Sequence, residues 1–165
     1  MAEFKLKGNP FNTIGNLPAV GADAPDVTLT GADLSDIKLG DYKGQKVVLN
    51  IFPSLDTAVC AASVRRFNEE ASKLDNTIVV CVSMDLPFAM GRFCTTEGLE
   101  NVVSASDFRN RAFAKEYGVL ITDGPLKGLC ARSVVVVNEE GDVVHAELCP
   151  ETAEEPDYAA ALAAL

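Results

Sequence analysis

An α/β fold built on a central mixed β-sheet flanked by helices is the class this sequence predicts, and three observations predict it. Lys46 to Phe52 and Thr77 to Met84 are nearly continuous apolar runs, as expected of strands covered on both faces. Between them, Cys60, Val64, Phe67 and Ala71 recur at helical spacing over about 58–73, and strand–helix–strand in one sheet implies a right-handed parallel crossover. Finally, Ser133 to Val137 and Asp142 to Leu148 read as a hairpin across Asn138–Gly141, which adds an antiparallel edge.

The remaining elements follow in chain order. Residues 1–20 alternate weakly at Phe4 and Leu6 and carry Gly8 and Gly15, which reads as an N-terminal β-hairpin. Val27 to Thr30 and Ile37 to Leu39 are short strands, and Asp41 to Gln45 is a polar connector. Pro53 stops the strand that ends at Phe52, because it offers no N–H for a ladder bond. Ser54 to Thr57 is then a polar turn with two candidate N-caps, Asp56 and Thr57. Asp85 to Cys94 reads as a capped helix with Pro87 in its first turn. Val102 to Ala105 is a strand, Asp107 to Tyr117 a helix stopped by Gly118, and Pro156 to Leu165 an Ala-rich terminal helix. No repeat or linker interrupts the order, so one domain is expected over residues 1–165.

Composition excludes several classes. With 14 basic against 24 acidic residues the net charge is −10, which opposes non-specific binding to nucleic acid or anionic membrane. No apolar run approaches a membrane span, and Met1 to Gly8 lacks the apolar core of a secretory signal. A cytoplasmic protein is the expectation. The 48% hydrophobic content suffices for a sizeable core.

Cysteine carries the chemistry. The five cysteines, at 60, 81, 94, 130 and 149, form no C-x-x-C pair, and His145 is the sole histidine. A zinc site and a Cys–His hydrolase are therefore disfavoured. Alternation along Val144, Ala146 and Leu148 predicts an outward His145. Cys81, inside a strand, reads as a small core residue. Cys60 falls in or near the first helical turn, where unpaired N–H groups and the positive dipole end favour a thiolate. Placement alone leaves it open between a nucleophile and a buried residue on the helix's core face.

The run Pro53-Ser-Leu-Asp-Thr57-Ala-Val-Cys60 fits the Pro-x-x-x-Thr/Ser-x-x-Cys motif of peroxiredoxins. The wider text resembles their thiol peroxidase (Tpx) subfamily, through Asn50 to Arg65, Asp85 to Ala89, Arg92 to Cys94, Asp123 to Leu129, Ala131-Arg132 and Glu155 to Tyr158. The resemblance covers almost the whole chain. It implies a thioredoxin-like fold, a homodimer, and reduction of hydroperoxides without metal, haem or flavin. It makes Cys60 the attacking cysteine and Cys94 the resolving one. The two close an intrachain disulfide, as in atypical two-cysteine peroxiredoxins, and thioredoxin is the expected reductant. Pro53, Thr57 and Arg132 complete the implied active site. Cys130 and Cys149 have no counterpart in that mechanism.

These residue types suit the reaction. A thiolate must break the O–O bond, and an arginine stays charged while offering several donors in a plane. A Thr57 hydroxyl can both accept and donate, and Pro53 shields the sulfur. Read from the residues alone, Thr57 is equally a plain N-cap, Arg132 a surface ion pair, and Cys94 a helix-end thiol. Phe52, Leu86, Phe88, Phe93 and Leu129 are candidates for an apolar entrance that would favour organic peroxides, and ordinary core roles fit each as well. The rival functions are a thiol–disulfide oxidoreductase, disfavoured by the missing C-x-x-C, and a redox sensor that oxidises quickly but turns over poorly.

Overall fold

The structure, a computed structural model describing residues 1–165, pairs a small hairpin with a seven-stranded mixed sheet. Strands β1 (Glu3–Leu6) and β2 (Asn9–Asn12) form the hairpin. Lys7 at φ 52° and Gly8 at φ 82° turn the chain between them with two positive φ angles, as a two-residue hairpin requires. β3 (Thr28–Gly31) and β4 (Asp36–Lys38) follow. The expected polar connector begins as a 3-10 turn over Leu39–Tyr42.

The central crossover comes next: β5 (Lys46–Ile51), α1 (Ala58–Ala71) and β6 (Thr77–Ser83). Then come α2 (Pro87–Glu97), β7 (Val102–Ser106), α3 (Ala112–Glu116), β8 (Ser133–Val137), β9 (Val143–Leu148) and α4 (Tyr158–Ala163). The sheet order is β4-β3-β7-β6-β5-β8-β9, with β5–β6 and β6–β7 parallel and the other pairs antiparallel. This is the thioredoxin-like arrangement of a mixed sheet between helices. No helix is long and apolar enough to cross a membrane.

The period of two in the central strands sorts their side chains onto two cores. Val47, Leu49, Ile51, Val80, Val82, Val135 and Val137 pack with Phe113, Ala114 and Tyr117 on one face. Val48, Phe52, Val79, Cys81, Val134 and Val136 pack with Cys60, Val64 and Phe67 of α1, Met90 of α2 and Ala161 of α4 on the other. Burying a side chain such as Val64 or Phe67 contributes about 1.5–3 kcal/mol. This second face seats the helix that carries Cys60.

Three expectations change. The helix expected over 107–117 is only Ala112–Glu116, because the buried Asp107 carboxylate accepts the N–H groups of Phe113 (3.1 Å) and Ala114 (2.9 Å). Arg111 turns into the helix at φ 56°. The glycine stop does hold: a Cβ on Gly118 (φ 70°) would sit 2.2 Å from the Asn16 carbonyl oxygen, so neither the angle nor the space admits another residue. α2 starts later and runs longer than expected, ending at a left-handed Gly98. His145 is not the outward surface imidazole that the alternation predicts. The β8–β9 ladder slips between Val136 and Val137, breaking the alternation, and His145 is half-buried with its Nε2 sealed from solvent and unpartnered.

Candidate active site

The site forms where β5 gives way to α1. Pro53 is buried, and the turn after it winds so that Thr57 occupies the N-cap position of α1, with extended backbone angles. The Thr57 hydroxyl does not cap the helix. It donates back to the Ser54 carbonyl at 3.0 Å, and the Thr57 N–H reaches the same oxygen at 3.3 Å. The first turn therefore has no side-chain cap, so its N–H groups and positive dipole end stay available to an anion. Cys60 sits three residues in, wholly buried.

Arg132 approaches Cys60 from the segment before β8. Its Nη2 donates to Cys60 Sγ at 3.1 Å, and its Nε donates to the Thr152 carbonyl at 2.9 Å. Only 3% of the residue is exposed. The guanidinium thus presents a charged donor to the sulfur at hydrogen-bond distance. Its Nη1 is buried and lacks any partner. A charged donor without an acceptor is costly to bury, and here it lies on the group that holds the sulfur.

The hairpin keeps Arg132 in place. Lys5 of β1 bonds the Pro150 carbonyl through its N–H and accepts the Thr152 N–H through its own carbonyl, each at 2.8 Å. The Glu151 carboxylate takes the N–H groups of Lys7 (2.9 Å) and Gly8 (3.0 Å), which hold its carboxyl below the usual range. The strand segment that positions the Arg132 guanidinium is thus tied to the N-terminus.

Cys94 lies near the end of α2, half-buried, with its Sγ 3.2 Å from Ser104 Oγ on β7. All five cysteines are free thiols. Arg65 of α1 grips Glu97 of α2 through two bonds, Nη2–Oε1 at 2.8 Å and Nε–Oε2 at 3.1 Å, so the helices bearing Cys60 and Cys94 are tied side by side. Cys81 lies beneath α1 in the same core as Cys60. Burial pushes its thiol up to about 12 despite the Asn50 amide 3.8 Å away. Cys149 is also pushed up to about 12, first by burial and then by Glu147. Cys130 is raised by burial as well, ahead of smaller contributions from Asp107 and Asp85. These three thiols are poor nucleophiles at neutral pH.

The other sequence candidates divide. Cys60 and Arg132 are in direct contact, while Pro53 and Thr57 lie on the turn that leads into the Cys60 helix. Phe52 is completely buried in the Cys60 core. Phe93 is half-buried against that core beneath the Arg65 guanidinium, 5.9 Å from its ring centre. Leu86 and Phe88, at the start of α2, are 52% and 67% exposed. Leu129 packs elsewhere, against Phe4, Ile121 and Ala131. A cavity of about 250 Å³ is lined by Val47, Leu49, Tyr117 and Val137 on the opposite face of the sheet, and Cys60 is not among its lining residues. Ser54 and Thr152, whose carbonyls hold Thr57 and Arg132, escaped the sequence reading. Backbone acceptors leave no mark in residue type.

A mixed sheet between helices, with an arginine-held cysteine in an uncapped first turn, sets this chain among the thiol-bearing proteins of the thioredoxin-like class. The redoxin family matches residues 19–162. The chain is 56% identical over 165 residues to the thiol peroxidases of Mycobacterium tuberculosis and Mycobacterium bovis, covering 100% of this chain and 99% of each of those proteins. A peroxiredoxin-like protein from Aquifex aeolicus superposes with a TM-score of 0.93 at 41% identity, over 99% of this chain and 95% of that one. The thiol peroxidase from Chromobacterium violaceum shares the fold, with a TM-score of 0.89 at 22% identity over 97% of this chain and 93% of its own. The chain belongs to the redoxin family and, within it, to the thiol peroxidases.

Proposed function

We propose that Cys60 is the attacking sulfur of a hydroperoxide reductase, that Cys94 resolves the product as an intrachain disulfide, and that thioredoxin reduces that disulfide. The observation that carries this reading is the Arg132 guanidinium, with Nη2 on Cys60 Sγ at 3.1 Å and Nη1 buried without a partner. One nitrogen serves the nucleophile and the other remains for a peroxide oxygen.

The thiolate attacks the terminal oxygen of ROOH. An S–O bond forms, the O–O bond breaks, and RO⁻ departs and is protonated to ROH. The Arg132 donors stabilise charge as it spreads over the oxygens. The Thr57 hydroxyl, already donating to Ser54, keeps lone pairs free to accept from the incoming OOH group. Pro53 excludes water from the sulfur. Cys94 then attacks the Cys60 sulfenic acid, closing the S–S bond and releasing water. Leu86 and Phe88, exposed at the start of α2, support an apolar approach that suits organic peroxides, with Phe52 and Phe93 packed in the Cys60 core and Leu129 in a separate cluster outside it. The whole chain acts as one domain, works as a homodimer and resides in the cytoplasm.

Turnover of hydrogen peroxide and an organic hydroperoxide, coupled to thioredoxin, thioredoxin reductase and NADPH, tests the reading. Sustained NADPH consumption is expected. One rapid equivalent followed by no turnover would point instead to a sensor.

A further inference from the structure

Asp85 sits between the end of β6 and the start of α2, and three donors converge on its carboxylate. Ser54 Oγ donates to Oδ1 at 2.7 Å, while the Leu55 N–H (2.8 Å) and Ser83 Oγ (2.6 Å) donate to Oδ2. Its own N–H reaches Ser83 Oγ at 3.2 Å, and its carbonyl accepts from Ser106 Oγ of β7. One residue therefore pins the loop leading to Cys60, the ends of two central strands, and the root of the helix bearing Cys94. Ser54, held by Asp85, in turn supplies the carbonyl that fixes the Thr57 hydroxyl.

Disulfide formation needs the two Cα atoms within roughly 7 Å. Cys60 Sγ is held by Arg132 in a fully buried first turn, and Cys94 Sγ lies against Ser104 in an intact helix. For the bond to close, Cys60 Sγ has to leave Arg132 and Cys94 Sγ has to leave Ser104, a change that unwinding of either segment would allow, and Asp85 is bonded at the root of both. We propose that Asp85 is a positioning residue that latches the fully wound dithiol form, setting Thr57 for the peroxide step and opposing the unwinding that resolution requires. The proposal rests on the Cys60–Cys94 reading above. In the resolving step the Cys94 sulfur attacks the Cys60 sulfenic sulfur, the S–O bond breaks, and the oxygen leaves as water with the thiol proton. Asp85 takes no part in the bonds made or broken.

Loosening the latch has two consequences of opposite sign. The peroxide step slows because Ser54 and Thr57 lose their support, and the resolving step quickens because unwinding is easier. The dithiol form loses an interaction that the unwound disulfide form lacks, so the disulfide becomes harder to reduce. Asp85→Asn is nearly isosteric, but its NH2 must face at least one of the three donors, and neutral acceptors bond about half as strongly as charged ones. The disulfide equilibrium should shift about tenfold, which is about 30 mV more negative for a two-electron couple.

The experiment uses the full chain as wild type, Asp85→Asn and Ser54→Ala, the last removing the Ser54 hydroxyl's bonds to Asp85 and from the Asp56 N–H while leaving α2 untouched. Peptide mapping first establishes the Cys60–Cys94 linkage in wild type. Redox titration against a glutathione or dithiothreitol couple then gives the potentials, and single-turnover quenching separates the peroxide and resolving steps. The expected result is a more negative potential, a slower peroxide step and a faster resolving step in Asp85→Asn, with smaller shifts of the same signs in Ser54→Ala. A residue that merely supported the fold would lower the melting temperature of both redox forms and leave the potential unchanged, and that result would overturn the proposal. Absence of the linkage in wild type would overturn the underlying reading as well.

Discussion

Replacing Arg132 with lysine keeps the charge and removes the geometry. In the native site the guanidinium spans the Cys60 sulfur and the Thr152 carbonyl and still holds Nη1 in reserve. An ammonium is a compact point donor on a flexible stem and cannot serve these directions together. A hydrogen bond to a charged group contributes about 1.5–3 kcal/mol. Losing one such bond from the transition state lowers kcat/KM by about 10- to 150-fold at 1.4 kcal/mol per tenfold. If the lysine keeps the sulfur, the Thr152 carbonyl is left unpaired on a residue only 7% exposed, costing a further ~1–3 kcal/mol of stability. The assay is kcat/KM for peroxide at saturating reductant, with a thermal melt beside it. A variant within twofold of wild type would show that neither the fork nor its free nitrogen acts in the reaction.

Cys94→Ser should consume about one equivalent of peroxide and then stall with thioredoxin, accumulating Cys60 sulfenic and sulfinic acids that mass spectrometry reads directly. Alkaline pH should unfold the protein through thiols that play no part in turnover. Cys81 and Cys149 are each pushed from an ordinary value near 9 up to about 12, chiefly by burial, and Cys130 moves the same way. In the unfolded chain these thiols ionise near 9, so the native state binds more protons between the two values. Their stabilisation is fully present below about pH 9 and is lost as pH rises toward 12. Melting temperature against pH should fall across that window, and Cys81→Ala should flatten part of the slope. An unchanged slope would remove Cys81 from the account.

Much of the architecture was legible because burial on both faces writes itself into sequence. The runs Val47 to Phe52 and Ile78 to Val82, and the helical spacing of Cys60, Val64 and Phe67, leave little choice of element. Elements fixed by single tertiary contacts were not legible. The Asp107 carboxylate shortens α3 from a position outside it, and the slip at Val136 turns His145 inward. The site divides in the same way. Cys60 could be placed in its helical turn from local pattern. Its contact with Arg132 spans 72 positions and became visible only through the peroxiredoxin motif. Asp85 read as the start of a capped helix, because its Ser54 and Leu55 partners lie some 30 residues upstream and nothing local marks them.

Peptide mapping of the full chain after mild peroxide treatment tests the central claim most directly. The expected result is one intrachain disulfide between Cys60 and Cys94, with Cys81, Cys130 and Cys149 recovered as thiols. A Cys60–Cys81 or Cys60–Cys130 linkage, or a Cys60–Cys60 bond between chains, would contradict it.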